Sequence, residues 1–264
     1  NVVASFQGFA GRASRGVTVN HDNAHARRAA EGIPPERLIW YGTGAGLAWS
    51  ARGCRLEDGS CGAYDLYHNG EFFTSVKLGV PGAHNISNSM AAAAAAHLCG
   101  ADARQIADGL RDFRGAGRRF EFLGTFGGVT VADDYAHHPT EITATLAAAK
   151  GMGYRKVWAV FQPFTFSRTA RHLDGFVQAL SAADRVILSD IMGSREENAW
   201  GVSSGQITEK IPGALYLPTF PEITEYVAAH AEKGDLILTM GGGDVYKCAR
   251  MIARALGPRE ENPA

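Results

Sequence analysis

Two aspartates, two adjacent histidines and a proline follow an apolar run at residues 131–142, VADDYAHHPTEI. Carboxylates and imidazoles this close together could bind a metal, pass a proton, or shape a strand-to-helix turn around a ligand. Spacing argues against zinc: the adjacent side chains of His137 and His138 point apart, and no Cys or His pair at metal-ligand spacing supplies further ligands. Asp and His ahead of Pro139 can instead build a turn and cap a helix beginning near Thr140, with Glu141 in its first turn. A third reading makes one carboxylate an acceptor for ribose hydroxyls, as acidic residues beyond a first strand do in nucleotide sites.

Three other segments carry usable groups. Arg168 and Arg171, three residues apart in FQPFTFSRTAR, could fork a carboxylate or phosphate from one helix face, or form a solvated basic face. TMGGGD, residues 239–244, is a glycine turn opening a helix; it either turns the chain or exposes N–H groups to an anion. PGAHNISN places His84, Asn85 and Asn88 at a helix start, where asparagines act as caps or read the edge of an adenine. The phosphate-binding pattern G-x-x-x-x-G-K-[S/T] is not found, because no lysine follows a glycine.

The elements that must hold these groups change character along the chain. Residues 16–80 read as short strands, GVTVN, RLIWYG, AYDLYHNG and EFFTSVKLGV, with a hairpin turn at Asn69-Gly70. NISNSMAAAAAAHLCG then predicts a helix by propensity and by its terminal Gly100, and DARQIADGLRDF a second. Beyond Phe113, apolar strands alternate with helices at 140–150, 167–182, 203–211, 221–232 and 244–256. Runs of Val, Ile and Leu without polar alternation suit strands buried on both faces, so the second half is an α/β, Rossmann-like domain with a doubly wound, parallel-rich sheet. In such a sheet every motif above that follows residue 113 falls at the carboxyl ends of strands, where ligands bind. The glycine-rich, charged DFRGAGRRFE marks the boundary, giving domains 1–113 and 114–264.

The 264 residues suffice for two such domains, and a net charge of −1 offers no basic face for nucleic acid. Apolar runs fall short of a membrane span. The four cysteines lack C-x-x-C spacing and read as reduced thiols of a soluble, cytoplasmic protein.

Taken in order, GAHNISNSMAAAA, GRRFE, DDYAHHPTEI, VFQPFTFSRT, SDIMGSREEN and TMGGGD resemble the Mur ligases over residues 17–256. The pattern is most similar to that of the members whose substrates are UDP-N-acetylmuramate, L-alanine and ATP. The resemblance implies a chain holding the end of a central ATP-binding domain and all of a Rossmann-like third domain, the UDP-sugar and P-loop portions lying outside it. The reaction it implies is bacterial and ATP-dependent: a carboxylate becomes an acyl phosphate, and an amine displaces the phosphate. It assigns His84, Asn85 and Asn88 to adenine, Arg119 to the nucleotide, Asp134 to ribose, His137 to the amino-acid and acyl-phosphate pocket, and Arg168 to the amino acid's carboxylate. Magnesium is implied, with its ligands mostly outside this chain, and no metal ligand is assigned here. Many members have His-Arg where this chain has Phe164-Thr165, so one carboxylate contact that the resemblance implies is either absent or supplied by Arg171. Two alternatives stay open: a ligase that attaches a tripeptide to the same sugar, and a non-catalytic nucleotide-binding module.

Overall fold

The computed structural model describes residues 2–57 and 61–260, and the chain divides into two compact units, Asn1–Arg114 and Gly115–Ala264. The division falls inside the glycine-rich, charged segment.

The first unit is a five-stranded mixed sheet in sequential order: β1 (Val17–Asn20), β2 (Leu38–Gly42), β3 (Trp49–Glu57), β4 (Cys61–His68) and β5 (Glu71–Pro81). The first three strands are parallel and the last three antiparallel. Helices α1 (Val2–Ala10) and α2 (Ala24–Ala29) belong to this unit, and Asn69 and Gly70 take positive φ between β4 and β5, as a two-residue hairpin requires. Helices α3 (His84–Leu98) and α4 (Ala103–Asp112) cover the sheet. Ile86, Met90, Ala93 and Ala94 pack with Trp49, Tyr64, Leu66, Val76 and Leu78 in one buried cluster. The alanine run lets α3 lie close to the sheet, which fixes its first turn and the residues it carries.

The second unit contains β6 (Glu121–Phe126), β7 (Val129–Asp134), α5 (Pro139–Lys150), β8 (Val157–Phe161), α6 (Phe166–Arg171), α7 (Leu173–Leu180) and β9 (Arg185–Leu188). It continues with α8 (Gly205–Thr208), β10 (Leu215–Tyr216), α9 (Phe220–His230), β11 (Leu236–Met240) and α10 (Tyr246–Leu256). Sheet order is β10-β9-β8-β11-β7-β6, parallel throughout except at the β6–β7 edge. Every residue of β8 and β11 is buried, as expected of central strands with helices on both faces. Ile142, Leu146, Phe176, Leu180 and Ile207 build one core, and Ile223, Val227, Cys248, Ala249 and Ile252 the other. Because β11 returns between β7 and β8, the loops leaving those three strands are brought side by side.

Several expectations needed correction. The helix expected at 167–182 is two, broken at His172, whose φ of −117° and ψ of 21° are not helical. The helix expected at 203–211 is the four-residue α8. Strands β3 and β6 were not anticipated; each carries a register shift, between Arg52 and Arg55 and between Phe122 and Gly124, that breaks the period-two pattern. Neither were α1, which buries no residue, and α2. Among the described residues no disulfide joins Cys54, Cys61, Cys99 or Cys248. Among the described residues no helix is long and apolar enough to cross a membrane.

Candidate functional site

Four loops meet at the carboxyl edge of the second sheet, and the last two residues of β7 start the construction. Strand alternation sends their side chains to opposite faces. Asp134, 7% exposed, accepts from the N–H groups of Phe120 and Ala136, each at 2.7 Å, and from Thr145 Oγ1 at 3.4 Å. Asp133, 2% exposed, accepts from Thr239 Oγ1 at 2.6 Å and Arg118 Nε at 2.9 Å. Burial raises both carboxyls above the ordinary aspartate range, and these donors pull them partly back. Asp134 thus builds the turn, as the capping reading had it, with most of its acceptor capacity in use.

The chain then runs through Tyr135 and Ala136 to the histidines. His137 Nδ1 lies 2.9 Å from the carbonyl of Tyr135; a carbonyl only accepts, so Nδ1 carries the proton and Nε2 the lone pair of the neutral ring. Its backbone N–H donates to Glu141 Oε2 at 2.9 Å, and its ring stands edge-on to Tyr135 and Phe164. His138 is the N-cap of α5, accepting from Thr140 N–H while Glu141 accepts from His138 N–H. The two histidines therefore divide into a ring that faces the neighbouring loop and a helix cap. Burial lowers the pKa of His172, whose ring centroid lies 4.7 Å from that of His138, and its neighbours His138, Arg171 and Arg168 lower it further.

The loop after β8 enters α6 through Thr165, held at φ 66° with its N–H bonded to the carbonyl of Met192 at 2.9 Å. Glu196, from the loop after β9, accepts from Ser167 N–H at 2.8 Å and Ser167 Oγ at 2.6 Å, donors that hold its carboxyl below the usual range. Arg168 follows, its guanidinium 5.9 Å from the Phe164 ring centroid. Its NH1 is buried and has no hydrogen-bond partner among the described residues. A buried charged donor left unpaired is costly, so this atom is where an anionic group would be stabilised. Arg171, in the last turn of α6, is exposed.

The glycine turn after β11 closes the edge. A Cβ on Gly242 would stand 3.3 Å from His137 Cγ and 3.4 Å from Phe164 Cγ; one on Gly243 would stand 2.4 Å from Met192 Sδ. Both positions are tight, and glycine is required at Gly241, where φ is 153° and a Cβ would stand 2.7 Å from the carbonyl oxygen of Gln162. The Asp244 N–H donates to Gln162 Oε1 at 3.1 Å, so this donor of the turn is already engaged.

Arg119 is exposed, its guanidinium 5.4 Å from the Tyr135 ring centroid, and its charge lowers the Asp134 carboxyl slightly. Sequence reasoning passed over its neighbour Arg118, which faces inward onto Asp133 and the glycine turn; the adjacent pair of arginines was the available signal. Arg119, Asp134, His137 and Arg168 thus share one sheet edge.

His84, Asn85 and Asn88 lie in the first unit, on the first turn of α3. Neither asparagine is the N-cap, which is Ala83. Asn85 Nδ2 donates to the carbonyl of Pro81 at 2.7 Å, and Asn88 Nδ2 to Asn85 Oδ1 at 2.9 Å. His84 and Asn88 are exposed. Among the described residues, no group of three or more His, Cys, Asp or Glu side chains could hold a metal ion.

Residues 118–243 match the family model of the Mur ligase glutamate ligase domain, and the chain belongs to the Mur ligase family. It is 38% identical over 253 residues to the UDP-N-acetylmuramate–L-alanine ligase of Caldanaerobacter subterraneus subsp. tengcongensis, covering 94% of this chain and 55% of that protein. The chain spans about half the length of the curated relatives it matches. Its fold matches the crystal structure of the UDP-N-acetylmuramate-alanine ligase from Thermotoga maritima with a TM-score of 0.76 at 22% identity, over 96% of this chain and 54% of the other. The MurF ligase from Thermotoga maritima, solved in complex with ADP, matches at a TM-score of 0.68 and 17% identity, over 94% of this chain and 55% of that one.

Proposed function

We propose that this chain is part of an ATP-dependent ligase that joins L-alanine to UDP-N-acetylmuramate, and that its second unit holds the incoming amino acid. The observation that carries the reading is the buried, unpartnered NH1 of Arg168 on the carboxyl edge of the sheet, beside the ring that His137 also faces. A guanidinium fork pairs with a carboxylate through two parallel hydrogen bonds, which suits an amino acid's carboxyl group. His137, with its lone pair on Nε2, can accept a hydrogen bond or a proton from the amine as it loses its charge. Phe164 presents an apolar ring beside both groups, and Arg171 supplies a second, solvent-exposed cation.

The nucleotide would be ATP, with Asn85, Asn88 and His84 reading adenine through their amide and ring edges and Arg119 reaching the phosphates or ribose. A carboxylate accepts about four hydrogen bonds, and Asp134 already accepts three, so at most one position remains for a ribose hydroxyl. Magnesium would be held mostly by groups outside the described residues, among which no cluster of three or more His, Cys, Asp or Glu side chains could hold it. A cytoplasmic location goes with this reading, because ATP is its co-substrate. Release of phosphate from ATP by the full-length gene product, dependent on both UDP-N-acetylmuramate and L-alanine, tests the reading. Turnover with a tripeptide in place of alanine, or nucleotide binding without turnover, would replace it by one of the alternatives.

A further inference from the structure

All three nitrogens of the Arg118 guanidinium are engaged. Its Nε donates to Asp133 Oδ2 at 2.9 Å, NH1 to the carbonyl of Gly243 at 2.8 Å, and NH2 to the carbonyl of Gly241 at 2.7 Å. Its guanidinium lies 4.9 Å from the ring centroids of both Tyr135 and Tyr246. The backbone is strained to deliver it, with φ of 58° at Arg118 and 49° at Phe120. One planar group therefore ties the end of β7 to the two carbonyls that flank Gly242, and Gly242 is the residue packed on His137 and Phe164.

We propose that Arg118 is a positioning residue: it fixes the glycine turn as the wall against which the His137 and Phe164 rings are set. The adjacent arginines divide the labour, Arg118 turned inward onto the turn and Arg119 left exposed. A lysine could keep the charge against Asp133 but could not reach both carbonyls, because it lacks the fork. Any effect on ligation rests on the functional reading above; the placement of the His137 ring does not.

The test is a histidine-labelled NMR spectrum of this chain, with the His137 cross-peak assigned by its loss in His137→Gln. Arg118→Lys and Arg118→Met should move or broaden that peak by more than a line width, Met more than Lys. Amide exchange at Gly242 and Gly243 should quicken about tenfold in Arg118→Lys, equivalent to one lost hydrogen bond. The peaks of His68 and His97, in the first unit, should stay in place. Arg155→Lys is the control, since Arg155 binds Asp235 at the opposite end of the same sheet; it should lower the melting temperature without moving His137. If Arg118→Met does not fold, Arg118→Lys decides. An unmoved His137 peak with unchanged exchange in Arg118→Lys, or the same change in Arg155→Lys, overturns the proposal. Because no turnover is measured, failure of the ligase reading would leave this result standing.

Discussion

Thr165 is a β-branched residue at φ 66° and ψ 139°, a conformation that costs on the order of 1–3 kcal/mol. Glycine relieves that strain and returns about 0.5–1 kcal/mol of backbone entropy to the unfolded chain. Thr165→Gly should therefore raise stability modestly, read as a higher denaturant midpoint; a lower midpoint would mean that the side chain supports the loop by more than its strain. The paired aspartates make a sharper case. From strand alternation alone Asp133 looks like an idle control for Asp134, but it is the counter-charge of Arg118. Asp133→Ala should destabilise by up to about 3–5 kcal/mol, reduced by the partial exposure of Arg118. Asp134→Ala should also destabilise, by about 1–3 kcal/mol for each N–H left without an acceptor. An unchanged melting temperature for Asp134→Ala with a raised ATP KM would restore a ribose role as its main one. Residue identity was legible where the chemistry is local, as in His138 and Glu141 forming a cap. It was not legible for Arg118, whose partners lie 15 and more than 100 residues away.

Among the elements, the α/β alternation after residue 113 could be read because parallel central strands are continuous apolar runs, as VWAVF and LILTM are. The strands that escaped, β3 and β6, have bulges at Gly53-Cys54 and Leu123, and α1 buries no residue that would announce it. One contact joins three elements of the second unit. Asp184, just ahead of β9, accepts from Lys150 Nζ at the end of α5 at 2.8 and 2.9 Å and from the N–H of Val157 at the start of β8 at 2.7 Å. Burial opposes its ionisation, but the ammonium and the N–H outweigh it, so the carboxyl sits below the ordinary range. A depressed carboxyl contributes stability that is present above its unfolded pKa and lost as pH falls through its folded one. Asp184→Asn should thus lower the melting temperature at pH 7 by about 2–4 °C, for a loss near 1 kcal/mol. The gap should close in acid, below the folded pKa; a gap constant with pH would show that the charge is not what holds the three elements.

At the scale of the molecule, each unit has its own buried core, so a chain beginning at Gly115 should unfold cooperatively by itself, with coincident transitions by fluorescence and far-ultraviolet dichroism. Separated transitions would show that its sheet needs further support. The chemistry is divided in the same way: amide and imidazole groups on the first turn of α3, and cationic groups with an imidazole on the carboxyl edge of the second sheet. The order of motifs along the chain made that division readable, whereas the unpartnered atom of Arg168 could be found only from packing. The most direct measurement is the steady-state kinetics of Arg168→Lys in the full-length gene product, with alanine and ATP varied separately. Loss of the guanidinium fork should raise the alanine KM roughly ten- to hundredfold, as expected for a charge-assisted hydrogen bond of about 1.5–3 kcal/mol, and leave the ATP KM unchanged. An unchanged alanine KM with a raised ATP KM would contradict the account and move Arg168 to the phosphates.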